Sequence, residues 1–288
     1  MTIRQHKGVR FRIVCALLFV MALIMLWPMV QTFLYSFSSI SDMKAYMQTR
    51  NNFDMDVWMD SRLSPRMFSL SQYYQILITD NTVLHLFVNS VMYTVMILLG
   101  QAIVIPAMAF ALSKFRFPGR DGLFFVIILL MLLPFQVTMV PNVLTLRAMG
   151  LLNTIWAVVL PMWFTPFYIF LVRQFMVSLP GELIEAASID GAGTFRTYIH
   201  IVLPVCRPIL GAAAAPSFAE CRNLVEQPLT YLTERADIQP LSVMFNQLAN
   251  ENTGFEFAGA ALYILPALFV YLFFQEDILS GIQLTELK

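Results

Sequence analysis

Long uncharged runs alternate with short polar segments along this chain of 288 residues. Ile13–Ser41 carries no charge, and its apolar part ends near Phe37. Asn81–Ser113 has no Lys, Arg, Asp or Glu and one histidine, His85, and Gly122–Leu146, Ala148–Val172 and Phe257–Gln275 are charge-free. A helix needs roughly 20 apolar residues to cross a bilayer, so each run predicts one span. A sixth span is expected between Val205 and Leu229, but only Pro208–Ala219 is uncharged there. Arg207, Glu220, Arg222 and Glu226 fall in or beside it. A charge at mid-membrane costs about 2.5–3.5 kcal/mol on insertion scales. This segment should therefore face protein or a watery path rather than lipid.

One polar stretch, Leu179–Pro204, interrupts the apolar runs and reads as a helix, a glycine break and a second helix at a membrane surface. Pro180 suits the first helical turn, where a missing N–H costs nothing. Glu182 and Glu185 favour the positive end of that helix. Leu183, Ile184, Ala186 and Ala187 give it a small apolar face. Asp190-Gly191 reads as a stop, because glycine takes the left-handed conformation that ends helices. Thr194 is expected to cap the second helix. Phe195, Tyr198, Ile199 and Val202 recur there at helical spacing, and Pro204 closes it.

Composition agrees with a membrane protein: 58% of residues are hydrophobic and 12% charged, against about 25% charged in soluble chains. The net charge of zero gives no reason to expect a nucleic-acid partner. The basic start and first apolar run resemble a signal peptide, but the run is too long and no small-residue cleavage site follows. It is expected to be an uncleaved first span. Basic residues mark the cytoplasmic side. Arg4, Lys7, Arg10, Arg12, Lys114, Arg116, Arg120, Arg173, Arg196, Arg207 and Lys288, eleven of eighteen, fall on the side that carries the polar stretch. Both termini and that stretch are therefore expected inside.

Cys15, Cys206 and Cys221 are odd in number and irregular in spacing, which argues against a disulfide framework. His6, His85 and His200 lie far apart, with no metal-ligand spacing. The external segments Ser38–Asp80 and Thr230–Glu256 are long and carry charge, including Asp42, Asp54, Asp56, Asp60, Arg62, Arg66, Glu234, Arg235, Asp237, Glu251 and Glu256. They are either surfaces for an external partner or solvated loops. Trp27, Trp156 and Trp163 read as interface anchors or packing residues.

Glu185-Ala186-Ala187, then Asp190-Gly191-Ala192, then Ile201-Val202-Leu203-Pro204 resembles the signature of ABC-importer permeases. Phe115–Arg120, Leu133–Thr138, Gly150–Thr154, Phe170–Phe175, Asn89-Ser90, Asn223–Pro228 and Gly281–Leu284 extend the resemblance over roughly residues 70–288. It is similar to the carbohydrate, maltose-type branch, in its second permease subunit. Arg222 departs from that pattern, standing where the family usually has an aromatic residue. Pro216 interrupts a segment that is normally more apolar.

The resemblance implies an all-α integral membrane protein with the type I ABC importer permease fold and six transmembrane helices. The expected division is a first span over 1–36 and an external loop over 37–82. A permease core follows over 83–276, with the loop 179–204 inside it, then a tail over 277–288. The implied function is half of the translocation path for a sugar or oligosaccharide in the bacterial inner membrane. A non-sugar solute such as a polyol or sugar phosphate, or a secondary transporter, is the alternative. Implied partners are an ABC ATPase dimer, a second homologous permease, an external solute-binding protein and membrane lipid. The chain has no G-x-x-x-x-G-K-[ST], so ATP hydrolysis is expected in the partner, not here. No cofactor or metal is expected. Coupling to the ATPase is assigned to Glu182, Glu185, Ala186, Ala187, Asp190, Gly191, Ala192 and Phe195. Gln136, Asn223 and Glu226 are candidates for the substrate path because intramembrane polar groups are functional by default. Interhelical hydrogen bonding is the competing reading of those three. Arg222 and Glu226, four apart, are expected to pair on one helical face.

Overall fold

The structure, a computed structural model, describes residues 2–51, 65, 67–79, 81–248 and 255–286. Asp54, Asp56, Trp58, Asp60, Arg62, Arg66, Asp80, Glu251 and Lys288 lie outside the described residues. Among the described residues there is no strand. The chain divides into two units, residues 1–84 with 247–264, and 85–246 with 265–288.

The first unit contains α1 (Thr2–Ser36), α2 (Ile40–Asn51) and α3 (Ser71–Tyr74), with a wide π turn over Gln75–Thr79. It also holds the start of α4 (Asn81–Lys114) and of α15 (Glu256–Glu286). From Phe11 to Val30 the side chains of α1 are exposed and mostly apolar. That is the pattern of a helix whose solvent is lipid, and Phe11–Ser36 is long enough to span. Where α1 ends, Gln72 ties the unit together. Its Nε2 donates to the carbonyls of Tyr35 (2.8 Å) and Ser38 (3.0 Å), and its Oε1 accepts from the Ala258 amide (3.2 Å). A buried carboxamide with three bonds avoids the cost of an unsatisfied polar group. The Tyr35 ring packs against Tyr46 and, edge-on, against Phe257.

In the second unit α4 runs beside α5 (Arg120–Leu132), α6 (Phe135–Ala148), α7 (Ile155–Trp163), α8 (Pro166–Ser178) and α12 (Arg207–Arg222). Two apolar cores divide its length. Ile105, Ala109, Phe110 and Leu112 of α4 pack with Phe124, Ile127, Tyr168, Val172, Met176 and Ile209. Tyr93 and Ile97 pack instead with Leu146, Ala157–Val159, Leu224, Tyr231 and Leu232. Between the cores sits Gln101, buried, donating to the Met162 carbonyl (2.9 Å) and the Thr165 hydroxyl (3.1 Å), and accepting from Ser217. Just above it Gly100 meets the face of Trp163, whose Nε1 donates to the Met96 carbonyl at 3.1 Å.

The spans differ from the uncharged runs in an informative way. Among the described residues four helices are long and apolar enough to cross a membrane, and six if each of two bent pairs counts as one. Gly122–Leu146 is one of those pairs: α5 and α6 meet at 112°. The cause is local. Proline pushes its predecessor out of the helical region, and Leu133, before Pro134, is extended at φ −80°, ψ 125°. The next span starts at Ile155 rather than Ala148, because Gly150 (φ 67°) and Asn153 (φ 60°) form a left-handed turn. The weak sixth span is the second bent pair: α10 (Thr194–Thr197) to α11 (Leu203–Val205) meet α12 at 72°. α12 ends at Arg222, and α13 (Glu226–Tyr231) begins after a break. Arg222 and Glu226 therefore do not share one helical face. Arg222 is buried near the rings of Phe87 and Phe218. α14 covers Leu241–Leu248, and α15 stays helical to Glu286 through the segment expected as a tail.

Candidate functional site

The polar stretch folds into a compact helix–turn–helix. α8 stops at Leu179, extended because Pro180 follows it (φ −66°, ψ 131°). Pro180 stands just outside the next helix, α9 (Glu182–Ile189), rather than in its first turn; Gly181 is the N-cap. The Gly181 carbonyl accepts from the amides of Ile184 (2.9 Å) and Glu185 (3.0 Å). Glu182 and Glu185 occupy the first turn and point to solvent, where they complement the helix dipole.

The end of α9 is a Schellman motif. Asp190 is the C-cap and Gly191 takes φ 77°. The Gly191 amide donates to Ser188 O (3.1 Å) and the Ala192 amide to Ala187 O (2.9 Å), satisfying carbonyls the helix would orphan. Nothing lies within 4 Å of where a Gly191 Cβ would be, so its requirement is conformational, not steric.

The second arm starts from Gly193, which is its N-cap; Thr194 is the first helical residue, and its side chain makes no cap. After one α turn the backbone widens to a π turn over Tyr198–Val202. Pro204 does not close the arm, which runs through Val205 and bends at Cys206. The π turn splits the predicted stripe. Tyr198 and Val202 face inward, with Tyr198 against Phe110 (ring centroids 5.0 Å apart), while Phe195 and Ile199 face out. A widened turn shifts residues off the 3.6 period, so spacing alone misplaces them.

The two alanines of the signature have different roles. Ala187 is buried within its own chain; Ala186 is exposed. The outward surface comprises Glu182, Leu183, Glu185, Ala186, Ile189, Asp190 and Phe195. Ile189 is 86% exposed and Phe195 75%, a large apolar display beside the carboxylates of Glu182, Glu185 and Asp190. Ile189 is not among the residues expected for coupling, although an isoleucine opposite the buried side of an eight-residue helix signals an outward apolar position. At the base of the site, Lys114 Nζ donates to the Leu179 carbonyl (2.9 Å), joining the end of α4 to the root of α9.

Of the three substrate-path candidates, the structure joins two. Gln136 Nε2 donates to Glu226 Oε1 at 3.0 Å, across ninety positions of sequence. Asn223 is the C-cap of α12, three residues before Glu226. At the same end of the unit, the segment after α13 is fastened to α4. His85 Nε2 and Asn89 Nδ2 lie 2.9 and 2.8 Å from the Asp237 carbonyl, and Ser90 Oγ accepts from the Leu241 amide (2.8 Å). Arg235 grips the Asp237 carboxylate with two 2.8 Å bonds, holding that carboxyl below its usual range. Asn153 of the left-handed turn accepts from the Glu234 amide at 3.1 Å. His85 is thus a loop anchor. Cys15, Cys206 and Cys221 are free thiols, and no cluster of metal-ligating side chains occurs among the described residues.

Residues 102–276, which include α9 and its flanking spans, match the family of binding-protein-dependent transport system inner membrane components. The chain belongs to that family: it is a transport subunit of the inner membrane. It is 29% identical over 205 residues, 70% of this chain and 73% of the relative, to the arabinooligosaccharides transport system permease protein AraQ of Halalkalibacterium halodurans. It is 30% identical over 203 residues, 69% of this chain and 72% of the relative, to the sn-glycerol-3-phosphate transport system permease protein UgpE of Agrobacterium fabrum. A chain from the crystal structure of a bacterial ABC transporter involved in the import of the acidic polysaccharide alginate superposes with a TM-score of 0.77. That match is 24% identical and covers 94% of this chain and 97% of the other, so the all-α ABC importer permease fold is shared. Membership removes the secondary-transporter alternative.

Proposed function

We propose that this permease forms half of the path of an ATP-driven importer for a sugar or oligosaccharide, and that α9 with its Gly191 turn receives the force of a separate ATPase. The observation that carries the reading is the outward surface of the helix–turn–helix. Glu182 and Glu185 offer acceptors, Ala186 allows close approach, and Ile189 and Phe195 offer apolar area. The Schellman turn makes this a stiff lever, and Lys114 roots it on a spanning helix. An ATPase dimer would bias the spans between two global states by binding here. A second homologous permease and an external solute-binding protein complete the proposed assembly. Both termini share the side of α9 in this reading. Gln136, Asn223 and Glu226 are the proposed polar contacts along the path, with Gln136 and Glu226 already hydrogen-bonded.

A polyol phosphate or sugar phosphate is the second solute class, supported by the similarity to the sn-glycerol-3-phosphate permease. The solute-binding protein co-expressed with the chain discriminates the two.

Two substitutions test the coupling assignment. Ala186→Trp adds bulk on an exposed position, and Ala187→Trp adds it to a buried one. Ala186→Trp should give a chain that inserts and is stable but no longer retains the ATPase in detergent. Ala187→Trp should reduce the stability of the chain itself. Full ATPase retention and uptake by Ala186→Trp would sink the assignment.

A further inference from the structure

At the end of the bundle that carries α9, guanidinium groups from two elements gather around one turn. Arg173, near the end of α8, lays its guanidinium 3.7 Å from the centroid of the Phe124 ring in α5. Its Nε is buried and has no hydrogen-bond partner among the described residues. A buried donor left unmade costs free energy that a bound acceptor would recover. Arg173 lies within electrostatic reach of Arg120 and Asp121. Arg120 bonds the Asp121 carboxylate (2.8 Å) and the Phe115 carbonyl (3.4 Å). Arg116 is exposed, and Arg116–Gly122 lines an open cleft of about 500 Å³. Asp121, paired with Arg120, is the one acidic residue in that segment, against two arginines within it and Arg173 from α8. α5 begins above the cleft at Gly119, in the left-handed region (φ 85°), with no side chain capping its first amides.

The outward face of α5 continues directly from this cleft as Leu123, Phe125, Val126, Leu129 and Leu130, all exposed. Positive charge at one end of an exposed apolar helix face suits an amphiphile with an anionic head. We propose that the cleft of Arg116–Gly122, with Arg173 beside it, holds the phosphate headgroup of an anionic phospholipid whose acyl chains lie along α5. Free phosphate shares the headgroup chemistry but leaves the apolar face of α5 unused, so the lipid is the better fit. The proposal does not depend on which solute the protein carries.

The test uses the full chain in detergent, with phosphatidylglycerol or phosphatidylcholine added and bound lipid counted by native mass spectrometry. Phosphatidylglycerol should be retained preferentially. Each basic residue near a membrane surface contributes about 1 kcal/mol, about fivefold, toward anionic lipid. Arg116→Gln, an exposed change with little consequence for folding, should weaken that preference about fivefold, and Arg173→Gln should weaken it further. Arg173→Lys should keep most of it. An equal concentration of inorganic phosphate should not displace the lipid. Equal retention of both lipids, an unchanged preference in Arg116→Gln and Arg173→Gln, or displacement by inorganic phosphate would overturn the proposal. So would lipid-independent loss of the ATPase in these variants, which would assign the cluster to that protein instead.

Discussion

The ammonium of Lys114 donates a 2.9 Å hydrogen bond to the carbonyl of Leu179, so the last residue of a spanning helix holds the first hinge of the exposed lever. Leu179 is extended because Pro180 follows it, which leaves its carbonyl outside the helical ladder. A charge-assisted bond to an otherwise idle acceptor contributes roughly 1.5–3 kcal/mol where it is sheltered. Lys114→Met should therefore loosen the hinge while preserving apolar contact of the side chain. The expected result is faster limited proteolysis within residues 179–204, and a several-fold drop in transport-coupled ATPase activity with insertion unchanged. A proteolysis rate equal to that of the parent would remove Lys114 from this role.

Gly191 separates conformation from space. Its φ of 77° is disfavoured for a residue with a Cβ, yet a Cβ there would touch nothing. Asparagine enters the left-handed region readily, and β-branched residues do not. Gly191→Asn should retain uptake, whereas Gly191→Val should lose most of it, by unwinding the Schellman turn at a cost of about 1–2 kcal/mol. Uptake assays on the two variants in parallel decide this; equal activity in both would show that the turn is dispensable.

Gly100 poses the opposite problem. A Cβ added there would stand 1.9 Å from Trp163 Nε1, inside a packed helix contact. Forcing extra volume into a filled interior costs typically 1–3 kcal/mol. Gly100→Ala should lower the thermal midpoint in detergent, and Gly100→Ala with Trp163→Leu should recover part of the loss. Additive effects in the double variant would show that the two positions do not share the contact.

The bond between Gln136 and Glu226 links the α5–α6 break to the start of α13. If this pair lines the path, Glu226→Gln should change the KM for uptake while leaving basal ATPase activity and thermal stability near the parent values. If it fixes packing, stability should fall instead. Glu226→Ala with Gln136→Ala, run as a double-mutant cycle, measures the pair itself.

Much of this protein is legible in the order of its residues. Uncharged runs locate the spans because lipid admits few charges, and the polar run from Leu179 to Pro204 stands out for the same reason. The Asp190-Gly191 stop is readable because glycine, lacking a Cβ, takes that conformation at the least cost. The absence of a P-loop is equally a property of the string.

Other features were settled only by packing. Leu133-Pro134 announces a break, but not the 112° between α5 and α6, which depends on what each arm packs against. Phe195, Tyr198, Ile199 and Val202 match one period, yet a π turn places two of them inward and two outward. Arg222 and Glu226 match a helical pair, but the helix ends between them, and Glu226 finds Gln136 instead. Gln101 gave no local signal, because its partners Met162, Thr165 and Ser217 are distant in sequence. Which segments prefer lipid and where the backbone must turn follow from the order of residues alone, since both depend on the residue and its immediate neighbours. Which alanine of the signature is buried, which polar groups meet, and where Arg173 rests follow from packing, since those depend on contacts between segments that are far apart in the chain.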